Sequence, residues 1–146
     1  MPIFWVVLLV ICITMGTLED LTRWAEESSL QADTTSIAYN LLAYRNALAN
    51  YAQANTGVTG RVADASLSLP SWFIHLSGVD GYIVAGDSFA FYASPPAGLV
   101  TQLAVLTDAS TSVGYVSAGH LISPNSGATA IIIPPNVPDG AAVAYR

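Results

Sequence analysis

Between Ala65 and Pro138 the only charged side chains are Asp80, Asp87 and Asp108, and the segment is a series of short apolar runs cut by Gly, Pro, Ser and Asn. That punctuation favours short strands over helices. Candidate strands are Trp72 to Leu76, Tyr82 to Val84, Phe89 to Ala93, Val113 to Ser117, Leu121 to Ser123, Ala130 to Ile133 and Ala142 to Tyr145. Turn chemistry is expected at Gly86-Asp87-Ser88 and Pro138-Asp139-Gly140. Pro95-Pro96 should break the sheet ahead of a short helix with Leu99, Leu103 and Leu106 on one face. A sheet this poor in charge lacks the usual protection of its edges. Either another subunit covers part of the surface, or Ser, Thr, Asn and Gly alone keep it soluble.

The second constraint is a stripe. Leu30, Ile37, Leu41, Tyr44, Leu48 and Tyr51 recur at helical spacing, and Thr34 completes alternating steps of four and three. This predicts one packing face of a helix that starts near Thr22 to Ser29 and stops at Asn55-Thr56-Gly57. Ala38, Ala47 and Ala52 flank the stripe and permit close approach, while few charges stand where a coiled coil would set partner choice. The helix is therefore expected to lie on a sheet of the same chain.

Ahead of it, residues 2–18 carry no charge, and Ile3 to Ile13 are apolar without interruption. The uncharged stretch is at the short end of what spans a bilayer. A membrane anchor formed by Ile3, Phe4, Trp5, Val6, Val7, Leu8, Leu9, Val10 and Ile11 is the first expectation. A cleaved signal peptide is the alternative, since Thr14-Met15-Gly16 offers small residues at a cleavage site although the n-region lacks Lys or Arg. A buried core helix is the third. Glu19, Asp20, Glu26 and Glu27 follow against a single Arg23, and a flank so poor in basic residues is expected outside the cytoplasm. The expected organisation is an anchor or signal segment over residues 1–18 and a periplasmic domain over 19–146, attached to the bacterial inner membrane. Gly16-Thr17-Leu18-Glu19 echoes a prepilin processing site, but here the apolar segment precedes the Gly, whereas a prepilin has it after.

The fold class is α+β: an N-terminal apolar helix, a long amphipathic helix packed on an antiparallel sheet of short strands, and one short extra helix. At 146 residues the chain is long enough to bury a substantial core. Net charge is −6 and there is no lysine; Arg23, Arg45, Arg61 and Arg146 are too few and too scattered to neutralise phosphates, so nucleic acid is not an expected partner. Cys12, the only cysteine, lies within the apolar run, and His75 and His120 show no metal-ligand spacing. No Gly-x-Ser-x-Gly elbow is present, and a chain without lysine has no phosphate loop of the Lys type. No cofactor, metal or catalytic residues are expected. The aromatics Trp72, Phe73, Tyr82, Phe89, Phe91 and Tyr92 could form a ligand surface but are expected in the core, with Phe89 and Phe91 on one face of a strand and Tyr92 on the other.

The order of segments is familiar. The apolar N-terminus is followed by Ala47-Leu48-Ala49-Asn50-Tyr51-Ala52-Gln53-Ala54-Asn55, then Gly57, Gly60 and Ser68-Leu69-Pro70-Ser71-Trp72. Pro95-Pro96-Ala97-Gly98-Leu99 and Ile133-Pro134-Pro135 come after. This arrangement resembles, over the whole chain, the PilM family of conjugative type IV (thin) pilus systems. It does not resemble the unrelated actin-like pilus protein of the same name, since a nucleotide-binding signature is lacking. The resemblance implies a small non-enzymatic envelope protein that helps to build thin pili for plasmid transfer in liquid, with other pilus-assembly proteins as partners. An exported adhesin or ligand-binding module with a cleaved signal is the rival expectation. Oligomeric state is not legible in the sequence.

Overall fold

The computed structural model describes the backbone over residues 2–146 and the side chains of Arg23 and residues 26–146. Helix α1 runs Pro2–Ala54, followed by a single 3₁₀ turn at Asp64–Ser66. Strands β1 (Val79–Val84) and β2 (Asp87–Tyr92) precede helix α2 (Leu99–Leu106). Strands β3 (Val113–Ser117), β4 (His120–Ser123), β5 (Gly127–Ile132) and β6 (Ala142–Tyr145) complete the fold. The chain divides into two compact units, residues 1–33 and 34–146. In the first, Arg23 and every residue from Glu26 to Asp33 are exposed. The proposed anchor residues, Ile3 to Ile11, lie outside the residues whose side chains are described. Among the described residues, no helix is long and apolar enough to cross a membrane.

The second unit is α+β. Its six strands form one antiparallel sheet in the order β1-β2-β6-β3-β4-β5, so β6, the last strand in sequence, sits at the centre between β2 and β3. Alternation along each strand gives the sheet two faces. On one face Val79, Ile83, Ala90, Val113, Ala142 and Ala144 join Ala38, Leu41, Tyr44, Ala47, Leu48 and Ala52 of α1 and Leu99 and Leu103 of α2 in a single core. On the other, Phe89, Phe91, Val116, Leu121 and Val143 are covered by Ile133, Val137 and Ala141 of the segment that links β5 to β6.

The helix-facing side sets small residues, Gly81, Ala90, Ala142 and Ala144, among Val79, Ile83 and Val113, and the small ones let α1 come near. At Gly81 in β1, an added Cβ would lie 2.8 Å from Leu48 Cδ2 and 2.8 Å from Tyr44 Cε1. A side chain there would force Leu48 and the buried Tyr44 ring to shift. Phe89 and Phe91 occupy the far face and Tyr92 the helix side, as the strand period requires.

Several expectations need correction. Leu30 is 66% exposed, so the buried face of α1 begins at Thr34. Ile37 and Tyr51 are half-buried against the core. Trp72 to Leu76 is irregular rather than a strand, and Trp72 is exposed at 63%. Its backbone is engaged elsewhere: Phe73 N donates to Pro70 O, and Asn40 Nδ2 donates to Ile74 O at 2.8 Å. The first hairpin turns at Ala85-Gly86, with φ of 50° and 100°, and Asp87 and Ser88 belong to β2. The second hairpin, β3 to β4, repeats the device at Ala118-Gly119, with φ of 49° and 75°, so His120 opens a strand. Two positive φ values in a two-residue loop match the twist of the flanking strands.

Three outcomes follow from this packing. Leu41 is fully buried, and Leu41→Asp should lower unfolding free energy by about 3–5 kcal/mol in chemical denaturation, because a charge there has no partner. Ala118 is exposed and left-handed; Ala118→Asn should stabilise the fold by about 0.5–1 kcal/mol, since Asn tolerates that conformation, and raise the melting temperature accordingly. The Tyr44 hydroxyl is pushed up to about 12 by burial, with Asp64 and Asp80 adding in the same direction and Arg61 opposing. The folded state therefore keeps this proton after the unfolded chain has lost it. Tyr44's contribution is intact below about pH 10 and is lost as pH rises towards 12, by about 2–3 kcal/mol. Denaturation profiles between pH 9 and 11.5 should show that decline, and Tyr44→Phe should flatten it.

Candidate functional site

The segment from Thr59 to Gly78 passes from the end of α1 to the start of β1 and holds the described residues closest to a catalytic arrangement. His75 Nδ1 lies 2.7 Å from Asp64 Oδ2, and His75 Nε2 lies 2.9 Å from the Val79 carbonyl oxygen. The ring meets Tyr44 edge-on at 5.3 Å and Phe73 at 6.2 Å, and Tyr44 and Phe73 stack at 5.9 Å. Beside it, Arg61 pairs with Asp80 at 2.7 Å, and the other Asp80 oxygen accepts from Gly81 N at 2.8 Å.

An Asp-His pair is two-thirds of a nucleophilic triad, and the third position decides its chemistry. In a triad the second ring nitrogen faces a hydroxyl; here it faces the Val79 carbonyl. With both nitrogens engaged, the ring fastens the 3₁₀ turn at Asp64 to the entry of β1. Sequence spacing gives no sign of this contact, because Asp64 and His75 are joined by an irregular loop. Among the described residues, no three His, Cys, Asp or Glu side chains gather as a metal site. His120 is exposed at the start of β4, away from these contacts.

Among the described residues, two of the open depressions flank the sheet. One, of about 480 Å³, is formed mainly by Tyr82, Val84, Phe89, Ile132, Pro134 and Pro135 on the face opposite α1. The other, of about 720 Å³, lies where α1 and α2 meet the end of β6. Tyr145 Oη donates to Asp87 Oδ1 at 3.0 Å, and partial burial together with that carboxylate raises its hydroxyl above the ordinary value. Large apolar side chains also stand in the open: Tyr39 at 56%, Trp72 at 63% and Ile74 at 74% exposure. The Asn40–Ile74 hydrogen bond brings the Trp72-Phe73-Ile74 segment against the helix beside Tyr39. Asn40 Oδ1 is buried and has no partner among the described residues.

Of the predicted packing residues, the structure brings Leu41, Tyr44 and Leu48 together at the centre of the helix–sheet core, sets Ile37 and Tyr51 at its margin and leaves Leu30 outside. It adds Ala38, Ala47 and Ala52, none more than 4% exposed, as equal members of that face.

The sequence and the fold have counterparts among known proteins. The PilM family profile matches residues 7–145. The crystal structure of a pilM protein from Pseudomonas aeruginosa 2192 is 45% identical, with a TM-score of 0.52, over 78% of this chain and 93% of that one. A PilM protein from Escherichia coli B7A shares the fold, with a TM-score of 0.60 at 23% identity over 80% of this chain and 93% of that one. No curated protein matches the chain. A family match that spans nearly the whole sequence, joined to a relative at this level of identity, places the chain in a family related to pilus biogenesis: it belongs to the PilM family.

Proposed function

We propose that the protein is a non-enzymatic accessory factor of type IV (thin) pilus assembly in bacterial conjugation, held in the inner membrane by Ile3 to Ile11 with its bulk in the periplasm. It acts through contacts with other pilus-assembly proteins. The observation that carries this reading is the family match over residues 7–145. The exposed Tyr39, Trp72 and Ile74 support it, since large aromatic and aliphatic groups in the open are characteristic of protein-contact surfaces. So does the His75 ring, whose two nitrogens face a carboxylate and a backbone carbonyl rather than a nucleophile.

Deletion of the gene in its native host should abolish thin pili and reduce plasmid transfer in liquid by orders of magnitude, with recovery on complementation. In the same cells, full-length protein with an intact N-terminus should remain in alkali-washed membranes and become accessible to protease once the outer membrane is opened. A soluble form starting near Thr17 would favour an exported adhesin or ligand-binding module instead. Normal pili and transfer in the deletion strain would refute the assembly role.

A further inference from the structure

Two of the chain's four basic side chains come to one place. Arg45 from α1 and Arg146 just beyond β6 line the open cleft of about 720 Å³, with Leu42, Leu106, Ser110 and Ser112 among the remaining wall. Arg61 has a carboxylate partner in Asp80 at 2.7 Å. Among the described residues, neither Arg45 nor Arg146 makes an ion pair. Arg45 Nε and Nη2 both turn to the amide oxygen of its neighbour Asn46, at 3.3 and 3.0 Å. Asp108 also borders the cleft and is exposed.

Burial lowers the Arg45 guanidinium from its ordinary value, and the like charge of Arg146 lowers it further. Two cations that share a partly desolvated wall repel each other, and an anion between them reverses the sign of that interaction. Ser110 Oγ and Ser112 Oγ are 2.8 Å apart and bonded to each other. Such a pair uses one hydroxyl hydrogen internally and has a second to donate. The cleft is also larger than one small anion needs and falls in the range of roughly 300–1,000 Å³ typical of sites for larger molecules. Its apolar wall, Leu42 and Leu106, suits a side chain next to the charge.

We propose that this cleft binds an acidic segment of a partner protein, with a carboxylate held by Arg45 and Arg146 and an adjacent apolar side chain against Leu42 and Leu106. A planar guanidinium fork matches a carboxylate in a two-point contact, which a lone ammonium does not. The proposal rests on the reading of the protein as one that acts through protein contacts, and it specifies the chemistry of one such contact.

Calorimetric titration of the full-length protein in neutral detergent tests it, with acetyl-Leu-Glu-Asp-Leu-amide as probe. The expected result is saturable binding, at least tenfold tighter than for the Gln-Asn counterpart of the same peptide. Arg45→Gln and Arg146→Gln should each weaken it about tenfold, the order expected when a charge-assisted contact is lost. Arg45→Lys should fall between Gln and wild type, and added salt should weaken all charged binding. Arg146, at an exposed position, provides a variant that does not disturb α1. Equal binding of the acidic and amide peptides, or unchanged affinity in both Gln variants, would overturn the proposal. Pyrophosphate binding more tightly than the acidic peptide would overturn it too, by making this a phosphate site. The assay uses purified protein, so its failure leaves the transfer phenotype, and the assembly role that phenotype tests, unaffected.

Discussion

The approach of α1 to the sheet across a layer of small residues is the contact on which the rest of the folded unit depends. Gly81, Ala90, Ala142 and Ala144 on the strands meet a helix whose own face mixes Ala38, Ala47 and Ala52 with Leu41, Tyr44 and Leu48. Large side chains at every facing position would hold the layers apart; here Gly81, Ala90, Ala142 and Ala144 leave room for the helix between the larger Val79, Ile83 and Val113. Buried apolar area and dense packing then come from the same arrangement. Tyr44 shows the consequence most clearly. It reaches over Gly81 to stack with Phe73 and meet His75, so the same close approach that buries its ring also places its hydroxyl near Asp64 and Asp80.

Covering the second face explains why the sheet carries so little charge. An antiparallel sheet with one wet face alternates apolar and polar residues. Here Phe89, Ala90 and Phe91 are all buried, because α1 and α2 lie on one side and the Ile133–Ala141 segment on the other. A strand covered on both sides has no place for charge. Its edges need another form of protection. Beyond β1, Gly60 exchanges two 2.9 Å hydrogen bonds with Ile83, which closes part of that edge. At the opposite edge β5 runs only from Gly127 to Ile132, and Pro134 and Pro135 follow after Ile133, so a continued ladder would lack two donors.

What could be read from the sequence divides along the same physical line. The stripe Ile37, Leu41, Tyr44, Leu48 and the strands Val113–Ser117 and Ala142–Tyr145 were legible, because helical period and local turn chemistry act over a few residues. The α+β class and the family followed from the order of such segments. Trp72 to Leu76 has the composition of a strand but not its pairing: its carbonyl at Ile74 is claimed by Asn40 and the His75 ring by Asp64, contacts that no local pattern encodes. Leu30 fits the heptad by spacing, yet spacing cannot tell where a partner surface ends. Ala85 and Ala118 were invisible as turn residues because alanine seldom adopts positive φ, and each hairpin forces it to.

The fold also accounts for where its few cations stand. A chain with four arginines and ten carboxylates could pair every arginine on the surface, where such pairs contribute little. Arg61 does this with Asp80, itself held by Gly81 N, next to the glycine that admits α1. Arg45 and Arg146 do otherwise. Arg146 is set by the backbone: its N and O bond Ser88 at 3.0 and 2.8 Å, which extends the β2–β6 ladder by one residue. Arg45 is set by α1, one position beyond Tyr44, whose side chain is locked over the sheet. Both guanidiniums are thus carried on rigid elements that the core itself fixes. The core fixes the backbone positions of the two arginines, and their long side chains leave each guanidinium able to turn into the cleft between them.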